Sequence, residues 1–483
     1  MKNSKGKLAQ NAAIYSFFTL LQRGLGFFLL PVYTTVLATS ELGIISTATA
    51  IISFMVILFG LSFKGATTFY YYEYKDNQKE YLKKILGTSV STILLFTFFG
   101  IGVLLLTKAW ILDWLFENID FYPYVILSLI SIFLQPIYFF YQSLLKAKQE
   151  AKKASFLDFG YFGIMVGLTL IFILGFGFKA EGALLANAIA SLWTFVVSII
   201  GLRRDISICL VPSILKKLMN YSLPLMPHNL SGWAMNMVDR IMLNVMDSLS
   251  IVALFDVGSQ IGKLINIVSL GVNSAFAPWF FDQIKNDPNS HKNIAQVTNK
   301  IVLLYVCLAV GVSWLAPELL SIISSPEYYS SWRVVPLIAM AFVINGFYFS
   351  FSSIFFLEKT KYLPILTILG AVVNIILNFF LIKSYGFMGA AYASILTKIF
   401  FTIITYIVSQ KLYPIPYETN KIGFVIILGG VFCFIPYFLQ EQIESYNMGL
   451  VILIKCLFLA TFGGYIAYKN VNSLRILLKK KNG

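Results

Sequence analysis

Asn236–Asn266 reads NMVDRIMLNVMDSLSIVALFDVGSQIGKLIN, and its charges decide the fold. Two apolar runs flank a turn near Ser248, yet Asp239, Arg240, Asp256 and Lys263 stand inside them. A soluble core excludes unpaired charge, and a charge at the centre of a membrane helix costs roughly 2.5–3.5 kcal/mol on insertion scales. Five of the 37 Lys and Arg residues lie in such segments: Arg23, Arg240, Lys263, Lys398 and Lys455. Together they predict a membrane protein with a cationic interior, suited to a polar, anionic cargo.

Composition agrees. Of 483 residues, 58% are hydrophobic and 12% charged, and mean hydropathy is +0.78. A soluble domain carries about 25% charged residues. The net charge of +15 is spread over short loops and forms no basic groove, which argues against nucleic acid as a partner. The four cysteines are isolated, and the two histidines, His228 and His291, are far apart, so no metal constellation is visible. Lys2, Lys5 and Lys7 precede an apolar run that mimics a signal peptide. The run is long and contains Gln22-Arg23, so it reads as a first membrane helix that is kept.

Windows of about 20 apolar residues give fourteen spans: 11–36, 42–63, 85–107, 121–145, 155–175, 182–201, 218–246, 250–279, 301–323, 333–357, 362–382, 387–409, 422–439 and 448–468. The fold class is therefore an all-α polytopic membrane protein. Loops on the side of the N-terminus hold 28 basic residues and the opposite loops only 4. By the positive-inside rule both termini are cytoplasmic.

The halves echo each other at a shift of about 207–210 residues. SELGIISTATAII (40–52) aligns with LSIVALFDVGSQI (249–261), and Gly182-Ala183 parallels Gly389-Ala390. Six spans separate the copies, an even number, so the repeats run parallel about an axis along the membrane normal. The expected domains are an N-lobe (1–209, spans 1–6), a C-lobe (210–415, spans 7–12), and spans 13–14 with a basic tail (416–483).

Helical spacing places the candidate site residues. Arg23 shares a face with Ser16, Thr19 and Gly26 and lies roughly 18 Å deep. In span 7, Asn229, Gly232, Asn236, Arg240 and Asn244 form one stripe, with Asp239 about 100° away. Span 8 carries Asp256, Ser259, Lys263, Asn266 and Asn273. Arg240 stands eight residues before the turn at Ser248 and Asp256 eight after, so an antiparallel hairpin lets them pair. Lys263, roughly 21 Å from the outer end, sits near the level of Arg23. The substrate-binding cations are thus Arg23, Lys263, Arg240 and Lys398. Thr19, Asn229, Asn236 and Asn266 are the polar lining. Asp256 and Asp239 are ion-pair or coupling groups, since intramembrane carboxylates also serve as proton or sodium relays. Lys455, near the outer end of span 14, reads as snorkelling to the interface, and Asp158 as a loop-facing cap.

Enzyme signatures are missing: there is no G-x-x-x-x-G-K-[ST] loop, no H-E-x-x-H, and no long outer loop with paired carboxylates. No catalytic residue, metal or cofactor is expected. Asn11–Tyr15, the YSLPLMP of 221–227, Asp239-Arg240 followed by I-M-L, and the glycine motifs GFKAEGA (177–183) and GFMGA (386–390) resemble the multidrug/oligosaccharidyl-lipid/polysaccharide exporter superfamily, and within it the Wzx-like polysaccharide flippases. That resemblance implies movement of an undecaprenyl-pyrophosphate-linked oligosaccharide from the cytoplasmic to the outer leaflet of a bacterial inner membrane, for O-antigen, capsule or exopolysaccharide. It implies alternating access, with spans 1, 2, 7 and 8 lining a cationic cavity and H+ or Na+ as candidate coupling ions. Partners would be the lipid-linked oligosaccharide, membrane lipids, and the polymerase and glycosyltransferases of the same pathway. A peptidoglycan-precursor flippase and a cation-coupled multidrug exporter are the alternatives.

Overall fold

The structure is a computed structural model that describes residues 29–356, 362–443, 449 and 451–461. Among these residues all regular structure is helical. The helices are α1 (29–36), α2 (Thr39–Phe59), α3 (Phe63–Tyr74), α4 (Lys79–Leu106), α5 (Ile126–Ala147), α6 (Ala151–Leu170), α7 (Ala180–Leu202), α8 (Pro212–Ser222) and α9 (Met226–Met246). There follow α10 (Leu249–Gly262), α11 (Leu264–Asn286), α12 (Ser290–Ile323), α13 (Val335–Ser352), α14 (Tyr362–Leu412), α15 (Thr419–Ile443) and α16 (Val451–Thr461).

Ten helical segments among the described residues are long and apolar enough to cross a membrane. The chain is a multi-pass membrane protein. Its helices cover spans 2–13 of the hydropathy reading, the last turns of span 1 and part of span 14. α9 has the length of a span, but its polar stripe leaves it less apolar than those ten. α14 joins spans 11 and 12 across a break at Gly386, where φ is +56°, a conformation glycine adopts without steric penalty.

Two segments read as loops are largely helical. Residues 64–74 continue α2 as α3, and residues 290–300 form the first turns of α12. Hydropathy marks only the part of a helix that meets lipid, so polar ends stay invisible to it. The α2–α3 break holds Leu61 (φ 50°) and Ser62 (φ 54°) in the left-handed region, a conformation that costs a non-glycine residue about 1–2 kcal/mol. Asn229 Nδ2 donates to Ser62 Oγ at 2.9 Å and braces that break.

The chain divides into two compact units, residues 1–257 with 354–405, and residues 258–353 with 406–483. In the first, α5 packs on α7, α6 on α7, and α2 on both α5 and α9. Its core includes Ala48, Ile51, Ile52, Met55 and Phe59 of α2 against Leu129, Ile132, Leu184, Ile241 and Leu249. A second cluster joins Phe63, Tyr70, Ile85, Tyr141, Leu144 and Leu218. In the second unit, α12 packs on α11, α13 and α15, with Trp314 Nε1 donating to the Phe432 carbonyl at 2.9 Å.

The prolines of YSLPLMP leave a short 3-10 turn at Leu223–Leu225 between α8 and α9. Their missing N–H groups explain why the α-helical ladder is interrupted there. Beside it, Lys217 lies 4.9 Å above the ring of Tyr70 and 4.7 Å above that of Tyr74, cation–π contacts that suit an interfacial aromatic belt.

Candidate functional site

The first unit buries an ion cluster on α2, α9 and α10. Arg240 is 4% exposed. Its Nε donates to Asp256 Oδ1 at 3.0 Å, and Nη2 donates to the same oxygen. Nη1 donates to Asp239 Oδ1 at 3.0 Å and to the Asn236 carbonyl at 3.1 Å. Ser46 Oγ, on α2, donates to Asp256 Oδ2 at 2.8 Å. The face of the Phe255 ring lies 5.8 Å from the guanidinium carbon. A buried charge pair holds its place only when further hydrogen bonds satisfy its remaining lone pairs and protons, and Ser46, Asp239 and the Asn236 carbonyl do so here.

The helical angle separated Asp239 from the Arg240 face. The guanidinium nevertheless curls back to its own chain neighbour while reaching Asp256, because its forked donors span two directions at once. The pair foreseen from the hairpin is therefore a trio with one cation and two carboxylates.

The second charge comes from α14. Lys398 is buried, and Asp239 is the carboxylate that acts on it electrostatically. Asn374 Nδ2 donates to Thr397 Oγ1 at 3.1 Å, and Asn378 Nδ2 donates to Asn374 Oδ1 at 3.2 Å. All three are buried, and Asn378 Oδ1 has no hydrogen-bond partner among the described residues. Two cations and two carboxylates thus share one apolar region with no net charge. Ser46, Asn374, Asn378 and Thr397 were not singled out from the sequence. The asparagines at i and i+4 inside an apolar helix were the signal that could have found them.

Other site residues lie around this cluster. Asn236 Nδ2 donates to the Gly232 carbonyl at 2.7 Å. His228 Nδ1 and Thr367 Oγ1 are 2.7 Å apart, tying α9 to α14. Trp233 Nε1 donates to Ser53 Oγ at 2.9 Å and to the Ala50 carbonyl at 3.1 Å, which seats α9 on α2. Asn244, on the foreseen stripe, clamps the chain after α4 instead: its Nδ2 donates to the Glu117 carbonyl at 2.5 Å.

Lys263 belongs to the second unit. It stands at the break between α10 and α11, half-buried, with its N–H on the Ser259 carbonyl at 2.9 Å. The Asn266 N–H donates to the Lys263 carbonyl at 2.9 Å. Span 8 is thus interrupted at its own cation by a single turn residue that keeps right-handed helical dihedrals (φ −72°, ψ −7°). Lys455 departs from the snorkelling expectation. It is buried, with Nζ 2.5 Å from Glu318 Oε1 on α12. A lysine buried in an apolar span keeps its charge only beside a partner, and Glu318 supplies one. Arg23 and Thr19 lie outside the described residues. Among the described residues no group of three or more His, Cys, Asp or Glu could hold a metal ion.

Comparison with known proteins places this geometry. Residues 8–284, more than half of the chain, match the family described as "Polysaccharide biosynthesis protein". An Lsg locus protein of Haemophilus influenzae is 24% identical over 324 residues, covering 65% of this chain and 75% of its own. The solved structure of the lipid II flippase MurJ in an inward closed conformation superposes with a TM-score of 0.75 at 14% identity, over 95% of this chain and 100% of its own. A multidrug resistance MATE family transporter of the MOP superfamily, inward-facing, gives 0.64 at 16% identity, over 80% and 94%. At these identities the two solved structures establish the fold.

Proposed function

This chain belongs to the polysaccharide biosynthesis protein family, and from that premise we propose that it is a flippase for undecaprenyl-pyrophosphate-linked oligosaccharide. It carries the repeat unit of a cell-surface polysaccharide (O-antigen, capsule or exopolysaccharide) from the cytoplasmic to the outer leaflet of a bacterial inner membrane. The carrying observation is the family match over residues 8–284 on a chain whose apolar helices bury charged groups. A pyrophosphate crossing about 30 Å of hydrocarbon needs compensating cations, while its prenyl chain stays in lipid.

In this reading the lobes are residues 1–209 and 210–415, residues 416–483 are an appendage, and both termini are cytoplasmic. Arg240 and Lys398 share one region with Asp256 and Asp239, and Arg23 and Lys263 are the cations proposed to meet the cargo. Thr19, Asn229, Asn236 and Asn266 supply neutral hydrogen-bonding groups. Protonation of Asp239 or Asp256, or Na+ entry beside them, would release Arg240 or Lys398 toward the phosphates and couple the ion to transport. No catalytic step is assigned to the chain. Its working partners are membrane lipids and the polymerase and glycosyltransferases that use and make the same lipid.

A flippase for a peptidoglycan lipid precursor is the second reading, favoured by the extent of the likeness to the lipid II flippase. Deletion of the gene, with lipid-linked sugars assayed by leaflet, separates the two. The first reading expects the polysaccharide repeat-unit lipid to accumulate on the cytoplasmic side and lipid II to cross normally. Normal crossing of the repeat-unit lipid excludes it.

A further inference from the structure

A cavity of about 590 Å³ lies among α3, α5 and α6, inside the first unit and apart from the ion cluster. Lys64 and Lys146 line it, with Gln142, Tyr138, Asp158 and Phe139. Among the described residues neither lysine takes part in a salt bridge. Lys64 and Lys146 are both exposed residues at the open side of the cavity. The neighbours of Lys64 still desolvate it enough that burial, and then repulsion by Lys146, lowers its pKa below the usual lysine range. Asp158 is the one carboxylate in the same lining and already accepts from the Tyr138 hydroxyl, so two cations against one engaged carboxylate leave room for an anion.

The deeper wall offers acceptors. Gln142 is 4% exposed, and its Nε2 donates to the Ala154 carbonyl at 3.1 Å. Its Oε1 has no hydrogen-bond partner among the described residues. Such an orphan acceptor costs about 1–3 kcal/mol unless a donor reaches it. Asp158 accepts from the Tyr138 hydroxyl on Oδ1. A second cavity of about 270 Å³ adjoins and shares Lys64, Gln135 and Phe139 with the first. Its remaining wall is mostly apolar, with Val56, Ile57 and Phe140. Lys64 lines both cavities while Gln142 and Asp158 line only the first, so the order is acceptors, then cations, then an apolar slot, which is the order of headgroup hydroxyls, phosphate and chain in a lipid. The site volume is in the range that holds small ligands.

We propose that this cavity binds the headgroup of a phosphate-bearing lipid whose phosphate is followed by free hydroxyls. Lys64 and Lys146 hold the phosphate. Gln142 Oε1 and the Asp158 carboxylate accept from the hydroxyls, and the hydrocarbon chain lies along Phe139. Two sources carry this chemistry, a phosphatidylglycerol-type phospholipid and a polyprenyl-diphosphate sugar. The phospholipid source is independent of the cargo reading and the polyprenyl-diphosphate source rests on it, while none of the cations assigned to cargo lines this cavity.

The test is native mass spectrometry of the full-length protein titrated with phosphatidylglycerol, phosphatidic acid, phosphatidylcholine and a polyprenyl-diphosphate disaccharide. The wild type should prefer phosphatidylglycerol or the disaccharide lipid to phosphatidylcholine by about tenfold or more, and K64Q/K146Q should lose that preference. Which probe shows the lysine dependence identifies the source. Gln142→Leu should keep the preference over phosphatidylcholine but narrow that over phosphatidic acid, which lacks headgroup hydroxyls. K64Q and K146Q alone, each expected to lose part of the preference, serve if the double variant elutes misfolded. No preference in the wild type, or one that survives loss of the lysines, overturns the proposal.

Discussion

Ser46 donates a hydrogen bond to the Asp256 carboxylate at 2.8 Å, and the two residues are 210 positions apart in the chain. That separation is close to the shift of about 207–210 residues expected from the sequence echo. Thr39 Oγ1 and Ser250 Oγ repeat the relationship at 3.0 Å and 211 positions. A β-carbon on Gly43 would come within 1.9 Å of the Leu249 carbonyl oxygen, so α2 and the start of α10 approach backbone to backbone. Ser46 of α2 thus serves the Asp256 carboxylate of α10 where the two helices meet.

The seam gives a direct test. T39C/S250C should form a disulfide in native membranes under mild oxidation, read as a mobility shift between reduced and oxidised samples. A pair such as T39C/N229C should not, because Asn229 bonds Ser62 beyond the far end of the 21-residue α2. Failure of the first pair to cross-link would remove the α2–α10 contact from the account.

Gly43 is the complementary probe. Gly43→Val should lower the thermal midpoint and the folded yield in detergent, because the obstructing atoms are backbone and cannot swing aside. A Gly43→Ala variant of unchanged midpoint would argue against so close an approach.

The ion cluster predicts asymmetry between breaking and replacing. Asp256→Asn should cost about 3–5 kcal/mol by leaving Arg240 short of a counter-charge, and Ser46→Ala about 1.5–3 kcal/mol, measured by chemical unfolding. The charge-swapped Arg240→Asp/Asp256→Arg should recover folded protein relative to either single change. Equal yields from the singles and the swap would mean the contact contributes nothing.

Lys455 and Glu318 predict the opposite functional outcome. Lys455→Met alone should destabilise by about 3–5 kcal/mol, and Lys455→Met/Glu318→Leu should return to near wild-type stability. Transport should survive in the double variant, since the pair belongs to folding rather than to cargo. Loss of transport with normal folding would assign the pair a working role.

Much of this was legible in the sequence, and the exceptions have physical reasons. Spans follow from hydropathy because lipid demands it, and the Arg240–Asp256 level follows from counting outward from Ser248. Asp239 was placed off the face because helical angle locates a Cβ, while a guanidinium extends several ångströms beyond it. The Lys455–Glu318 contact joins residues 137 positions apart, and no local pattern encodes such a meeting. The interruption at Lys263 carries no proline, and a glycine before a lysine is too common a pair to mark a break. Arg23 and Thr19 lie outside the described residues, so the sequence alone speaks for them.

Arg23 and Lys263 carry the cargo proposal. Arg23→Ala and Lys263→Ala should each lower transport about tenfold or more, and together abolish it, with expression and elution profile kept. Lys398→Met should instead lower stability first, because it leaves Asp239 with one cation fewer. Full transport in the Arg23→Ala/Lys263→Ala double variant would end the claim that these two cations meet the phosphates.

The most direct measurement is reconstitution. Purified protein in liposomes, loaded on one leaflet with undecaprenyl-pyrophosphate-linked oligosaccharide, is assayed for appearance of the sugar on the other leaflet by a membrane-impermeant lectin or glycosidase. The account predicts crossing well above that in protein-free liposomes, abolished by Arg23→Ala/Lys263→Ala. Crossing no faster than in protein-free liposomes, with the protein folded and with the H+ and Na+ gradients each supplied in turn, would contradict it.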